Sequence, residues 1–166
     1  MDLTTHYCMY RGRQFTETWR GRDRSSGQEV VNVIRPEDAS DEDFPDALGV
    51  GANDGGVWVR LPRSVLSREW LEAVFGTWKG VEFCLRHISW YGRVSLWGST
   101  SDPDAGALGI PGDQYNGWDG VLPADEVTIT RRITYEYPLD APDSRRHTDA
   151  SAVGSGTAVS LDPKEV

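Results

Sequence analysis

The stretch Trp78-Lys79-Gly80-Val81-Glu82-Phe83 decides the fold because its pattern occurs twice. Tyr10-Arg11-Gly12-Arg13-Gln14-Phe15 has the same order of an aromatic residue, a basic residue, Gly, two further residues and Phe. A second match follows each copy: the segment from Trp58 to Val65 resembles the segment from Trp118 to Val127, with one residue inserted after Trp118. Two matches in the same order predict an internal duplication of one small supersecondary unit.

Alternating and β-branched residues around these repeats predict strands. In residues 7–19 the side chains alternate after Gly12, and residues 29–34 are rich in β-branched types, so residues 10–34 read as a hairpin around the polar turn 21–27. The second copy follows the same plan. Its predicted strands are 80–88, 93–98, 118–122 and 126–137. The sequence therefore predicts an all-β fold.

The segment 67–76 is open to two interpretations. Ser67 is a suitable helix N-cap, and Trp70, Leu71, Val74 and Phe75 would then share one helix face. The internal repeat favours a strand instead, because the matching segment after Pro123 is β-branched at alternate positions. We expect a short turn at 63–67 and a strand at 69–76.

The remaining segments predict loops and a tail. Residues 37–56 combine six carboxylates in ten residues with two Gly-rich runs, and residues 99–117 carry Asp, Gly and Pro, so both read as long exposed loops. From 140 to 166 few large apolar residues remain, which predicts a flexible C-terminal tail. The predicted domains are a first β module at 7–76 and a second at 77–139.

The composition excludes some classes of partner. The chain has 166 residues, a formal net charge of -9 and a pI of about 4.7, so on average it repels nucleic acid and favours a basic partner. No signal-peptide pattern is visible between Met1 and Tyr10, and no apolar run approaches the length of a membrane span. We expect a cytoplasmic protein with no membrane and no nucleic-acid partner and with an oligomeric state that the sequence leaves open.

No catalytic or metal motif can be assembled from the spacing. On a regular strand Cys84 and His87 face opposite sides, so they cannot pair as nucleophile and base, and Cys84 is interpreted as a small core residue. Asp102 and Asp104 lack the ligand ladder of a calcium loop and are interpreted as solvated charges. We therefore expect no enzymatic activity, no cofactor and no metal. Whether Cys8 and Cys84 ever form a disulfide is left open.

The end of each repeat resembles the end of an SH3-type barrel. In that fold a strand with a glycine leads to a hydrophobic-Pro pair, a short 3₁₀ turn and a last strand, as in the segment from Gly117 to Val127, and residues 58–62 are a poorer copy. The resemblance implies two tandem SH3-like small barrels or half-barrels. Binding of Pro-rich peptides is not implied, because Tyr10-Arg11-Gly12 differs from the usual start of that fold.

The overall layout of residues 10–137 resembles bacterial immunity proteins, which neutralise partner toxins. The resemblance implies a non-enzymatic protein that binds a toxin domain with a basic cleft and blocks its active site. The acidic loop 37–46 and the Gly-rich loop 99–117 are the expected contacts, because loops on a rigid β scaffold commonly carry binding function. An alternative is a carbohydrate-binding β module that uses exposed Trp and Tyr.

The candidate partner-binding residues are carboxylates of these loops and aromatic residues that could act as hot spots. They are Glu37, Asp38, Asp41, Glu42, Asp43, Tyr91, Asp102, Asp104, Tyr115 and Trp118. Most of the seven tryptophans are instead expected to fill the two cores, with Trp58, Trp78 and Trp97 as the leading candidates.

Overall fold

A computed structural model describes residues 1–98, 103–113, 117–139 and 159–161. About 60% of the chain lies in strands, so the predicted all-β class is confirmed. The chain divides into two compact units. The first unit contains His6–Trp70 and the described residues 137–139. The second unit contains Met1–Thr5, Leu71–Glu136 and the described residues 159–161.

The first unit is built on five strands in the spatial order β4-β5-β3-β2-β1, and each pairing is antiparallel. A 3₁₀ turn, Asp41–Asp43, lies between β3 and β4, and a second, Arg63–Val65, follows β5. The strand bounds are β1 Thr5–Tyr10, β2 Arg13–Arg22, β3 Glu29–Ile34, β4 Gly49–Asn53 and β5 Gly56–Pro62. The unit boundary after Trp70 falls within the next strand, β6.

The second unit has the corresponding order β6-β7-β8-β10-β9, and β11 pairs with β6 and β12. A short helix α1, Pro103–Ala107, follows β8, and a 3₁₀ turn, Ala124–Glu126, follows β10. The strand bounds are β6 Arg68–Trp78, β7 Val81–Ile88, β8 Arg93–Gly98, β9 Gly112–Asp113, β10 Gly117–Pro123, β11 Thr128–Glu136 and β12 Val159–Leu161.

The two quoted repeats form hairpin turns with the same backbone conformation. Arg11 and Gly12 have φ values of 50° and 79°, and Lys79 and Gly80 have values of 49° and 85°. Two successive residues with positive φ are typical of the tight hairpin turn that matches the twist of its flanking strands. The basic-Gly pair therefore sets the first hairpin in each unit.

Further features recur at matching places in each unit. The pairing register shifts after Glu17 in β2 and after Leu85 in β7, which lie equally far beyond Gly12 and Gly80. A Leu-Pro pair ends β5 and β10, and a 3₁₀ turn follows each because Pro has no N–H to continue the ladder. The strand interpretation of 69–76 is confirmed, since Arg68–Trp78 forms β6.

Each unit has its own hydrophobic core. The buried cluster of the first unit includes Cys8, Tyr10, Phe15, Val33 and Leu61. The second unit has two clusters of its own, which share no residue with the first. The second unit's main cluster consists of Leu3, Val74, Trp78, Phe83, Leu85, Val94, Leu96, Ala105, Ile110 and Leu122. Of the tryptophans predicted to fill cores, Trp78 is buried, whereas Trp58 and Trp97 are only half-buried.

Three segments predicted to lack regular structure contain elements. Within 37–56, Gly49–Asn53 forms β4, because Asn53 and Gly56 flank a tight turn that returns the chain along β5. Within 99–117, Pro103–Ala107 is helical and Gly112–Asp113 pairs with β10. Ala105 and Ile110 of this segment are buried in the core cluster of the second unit. Within 140–166, Val159–Leu161 pairs with β11 as β12, and the other residues of that prediction lie outside the described ones.

The prediction that Cys84 and His87 face opposite sides of β7 is wrong. Cys84 pairs with Trp97 and His87 pairs with Ser95, and Trp97 and Ser95 share a face of β8. The register shift between Leu85 and His87 adds one residue to β7, so the alternation is reset and Cys84 and His87 lie on the same face. The two cysteines of the chain are free thiols.

Candidate functional site

The acidic segment 37–46 of the first unit is anchored to the core by two apolar side chains. Phe44 is 3% exposed and lies parallel to Tyr10, with the ring centroids 5.9 Å apart, and Ala39 is also buried. Phe15 completes the aromatic group, at 5.4 Å from Phe44. This anchoring was missed from the sequence because the surrounding carboxylates suggested a free loop. The segment is therefore a fixed surface feature and not a mobile arm.

Polar contacts hold four of the six carboxylates of this segment. Arg13 donates to Asp38 at 2.7 Å, Arg35 forms an ion pair with Asp41, and the Tyr10 hydroxyl donates to Asp46 at 2.8 Å. The Arg13 guanidinium holds the pKa of Asp38 below its usual range, and burial, followed by the Asp46 contact, raises the pKa of Tyr10. Asp43 accepts a hydrogen bond from the Ser40 backbone N–H at 2.8 Å.

Glu37 and Glu42 are the two remaining carboxylates of the segment. Both are exposed, and neither forms an ion pair within the part of the chain that the structure describes. Glu42 and Asp43 border a surface cavity of about 280 Å³, whose other lining residues are Tyr10, Arg11, Arg13 and Phe15. The predicted acidic contacts are thus brought together with aromatic and basic groups at one place on the first unit.

The turn between β7 and β8 of the second unit displays an aromatic pair. Trp90 is 95% exposed and Tyr91 is 64% exposed, and their rings meet edge to face at 5.4 Å. Ser89 closes the turn: its hydroxyl accepts from the Arg93 N–H at 3.0 Å, and its backbone N–H donates to the Arg93 carbonyl at 2.8 Å. Tyr91 was predicted as a contact residue, whereas Trp90 was missed, although it stands next to Tyr91 in a predicted turn.

The face of the first unit's sheet that lies away from its core carries two indole rings around a guanidinium. Arg60 on β5 lies 5.5 Å from the Trp19 ring centroid and 5.4 Å from that of Trp58. Its Nε donates to Asn32 Oδ1 at 3.0 Å. The sequence did not predict this cluster, because Trp19 lies on β2 and the other two residues on β5, and only the pairing register aligns them.

A network of charged groups lies inside the first unit. Glu69 is fully buried and accepts from Arg63 Nε at 2.7 Å, while Arg20 lies 2.7 Å from its other oxygen. Arg20 also pairs with the buried Glu17, and Arg63 reaches Glu29 at 3.1 Å. Burial and the carboxylates Glu17 and Glu69 raise the pKa of Cys8 far above its ordinary value. Opposite charges pair throughout this network, so each buried charge has a partner that offsets its loss of hydration.

The other predicted contact residues are less favourably placed. Trp118 is half-buried, and its ring packs against the core cluster of the second unit and over Gly106, where a Cβ would come within 2.7 Å of the ring. Asp104 lies in the short helix α1. Asp102 and Tyr115 lie outside the described residues.

Two further features are absent from the described part of the chain. No group of three or more His, Cys, Asp or Glu residues there is arranged to hold a metal ion. None of the helices described is both long and apolar enough to cross a membrane.

Comparison with known proteins adds no relative. No protein-family model matches the chain, and no curated protein or solved structure matches it. Inferences about function therefore rest on the surfaces described above.

Proposed function

We propose that the protein is a non-enzymatic, immunity-type inhibitor that binds a partner toxin domain and blocks its basic active-site cleft. The observation that carries this proposal is the anchored acidic segment 37–46. Phe44 fixes the backbone, and Asp38, Asp41 and Asp46 are satisfied within the unit. Glu37 and Glu42 are thereby presented to solvent on an ordered scaffold, so little ordering entropy would be lost on binding.

Charge complementarity explains what such a surface would recognise. Carboxylates at the rim of an interface steer a basic partner toward the correct orientation and raise the association rate more than they add affinity. The net charge of -9 acts in the same direction over longer range. The adjoining cavity, lined in part by Tyr10 and Phe15, would receive an apolar or basic side chain of the partner.

The aromatic turn of the second unit is the second proposed contact surface. Trp and Tyr dominate the energetics of protein interfaces, and Trp90 is 95% exposed, so burial within the unit does not explain its large side chain. The hydrogen bonds of Ser89 hold the turn in shape, which reduces the entropy lost when the rings are buried by a partner.

We also infer that the two units are SH3-like modules that arose by internal duplication. The matching hairpin turns, register shifts and Leu-Pro turns support a common origin. A duplicated scaffold that displays different loops in its two copies is consistent with a role in binding.

The experiment is titration calorimetry and stopped-flow binding against the product of the neighbouring gene. Glu37→Gln and Glu42→Gln are the preferred variants, because Asp41 and Asp43 have structural partners and their loss would perturb the segment itself. Asp54→Asn, in the turn that precedes β5, is the matched control.

The double variant should associate several-fold more slowly than the wild type and show a weaker dependence on salt, whereas the control should be unchanged. Trp90→Ala should accelerate dissociation. The proposal fails if the neighbouring product does not bind, or if the Glu variants leave both the association rate and its salt dependence unaltered.

A further inference from the structure

The cluster of Trp19, Arg60 and Trp58 is assembled by the strand register of the first unit. Trp19 is opposite Asn32, Asn32 is opposite Arg60, and Trp58 is two residues before Arg60 on the same strand and therefore on the same face. The three side chains consequently form one surface, with the guanidinium between the two indole rings. We call these three residues and Asn32 the indole platform.

Two glycines make room for the rings. At Gly51, which is opposite Trp58, a Cβ would come within 2.2 Å of the indole, and at Gly21 a Cβ would come within 2.6 Å of the Trp19 ring. Each ring therefore lies against bare backbone. Trp19 nevertheless remains 45% exposed.

The guanidinium of Arg60 retains hydrogen-bonding capacity. Nε is used by Asn32, which fixes the plane of the group, and Nη1 and Nη2 donate to no residue that the structure describes. In the strand register Trp58 pairs with Ile34 and Gly51, and Arg60 pairs with Gly49. None of these neighbours is a carboxylate. In a chain of net charge -9, this patch is a local exception with one positive group and no negative one.

A stabilising role alone explains part of this arrangement. Each exposed cation–aromatic contact contributes about 0.5–1 kcal/mol, so the stack would help to hold β2 and β5 in place. That role requires neither a partly exposed Trp19 ring nor two unused donors in a fixed plane. A guanidinium with two parallel donors matches a carboxylate, and the electron-rich face of an indole attracts the weakly positive C–H groups of a saturated ring.

We propose that the indole platform binds an acidic sugar, with its carboxylate on Arg60 Nη1 and Nη2 and its C–H face on Trp19 or Trp58. A single carboxylate on a saturated ring satisfies the one guanidinium and the aromatic face together. A nucleic acid or another polyanion would be opposed by the overall negative charge. This site is separate from the proposed partner-binding surfaces, and its test does not depend on them.

The experiment is titration calorimetry with three probes: a galactose trimer in which one sugar is replaced by galacturonic acid, the neutral galactose trimer of the same length and a short peptide with a single Asp. The acidic trimer should bind, the neutral trimer should bind at least tenfold more weakly, and added salt should reduce the difference. Arg60→Lys should lower the affinity about tenfold because the charge stays while the planar pair of donors is lost.

Gly51→Ala should also weaken binding, because the new Cβ displaces the Trp58 ring. Val121→Ala, at an exposed position of the other unit, is the control and should bind normally. Thermal unfolding of each variant shows whether its fold is intact. Failure of the acidic trimer to bind, equal binding of the two sugars, undiminished binding by a folded Arg60→Lys variant, or tighter binding of the peptide would each overturn the proposal.

Discussion

Arg63 and Glu69 form an ion pair inside the first unit: Nε of Arg63 donates to Oε2 of Glu69 at 2.7 Å, and Glu69 is completely shielded from solvent. Arg63 also donates to the carbonyl of Pro138 at 3.0 Å and to Glu29 at 3.1 Å. A buried charge without its partner is far more costly than an exposed one. The pair thus ties the 3₁₀ turn after β5 to the start of β6.

The first prediction concerns this pair. Glu69→Gln should lower the free energy of unfolding by about 3–5 kcal/mol, because it leaves the buried Arg63 and the half-buried Arg20 without their shared counter-charge. Glu82→Gln is the control, since its pair with Arg131 is exposed and worth at most about 1 kcal/mol. Urea denaturation at neutral pH measures both. Equal losses in the two variants would contradict the structural role of the network.

The second prediction concerns the two hairpin turns. Gly12→Ala and Gly80→Ala should each cost about 1–2 kcal/mol, because both glycines have positive φ and an L-residue is strained there. Neither position would create a steric clash, so the cost is one of backbone conformation alone. Gly49→Ala is the control, with open space and no positive φ. We expect Gly12→Ala and Gly80→Ala to lower the free energy of unfolding by nearly equal amounts. Clearly different losses would mean that the two turns differ in conformation.

The third prediction concerns the thiols. Cys8 is fully buried and Cys84 is half-buried, and burial raises the pKa of both thiols. At pH 8, iodoacetamide should modify Cys84 slowly and Cys8 only after unfolding, because the thiolate is the reactive form. Mass spectrometry of peptides over time gives both rates. Rapid native labelling of Cys8 would show that its segment opens easily.

The same pKa shift predicts a dependence of stability on pH. The pKa of Cys8 is higher in the folded state than in the unfolded state, where it is about 8.5. The contribution of the thiol to the free energy of unfolding is therefore complete below about pH 8.5 and decreases as the pH rises above that value. Unfolding free energies at pH 7.5 and pH 9.5 should therefore differ more for the wild type than for Cys8→Ala. Identical differences in the two proteins would exclude this source of the dependence.

The fourth prediction compares two tryptophans of the second unit. Trp78→Ala should cost about 3–5 kcal/mol, because the side chain is 8% exposed within the core cluster and its Nε1 donates to Glu126 at 2.9 Å. Trp90→Ala should change stability by less than about 0.5 kcal/mol, since its ring is almost entirely in solvent. A large loss for Trp90→Ala would mean that the exposed turn has a structural role.

The sequence by itself determined the all-β class and two of the hairpins: the one around the polar turn 21–27, between β2 and β3, and the one between β7 and β8. Alternating and β-branched runs separated by short polar turns indicate such hairpins. The turns at Arg11-Gly12 and Lys79-Gly80 were not predicted, because a basic residue gives no sign of the positive φ that it adopts there. The Leu-Pro pairs likewise marked where β5 and β10 end, since Pro cannot continue the ladder. These features are local, and a local pattern is readable from one sequence.

Only the tertiary structure decided which side chains meet. The anchoring of the acidic segment depends on Phe44 reaching Tyr10 across more than thirty positions of the chain, and the indole platform depends on the register that places Trp19, Asn32 and Arg60 in one row. The side of β7 on which His87 lies depends on a register shift that the alternation of residues does not predict. Packing and hydrogen bonding between strands that are distant in the sequence select these contacts. No single stretch of residues therefore predicts them.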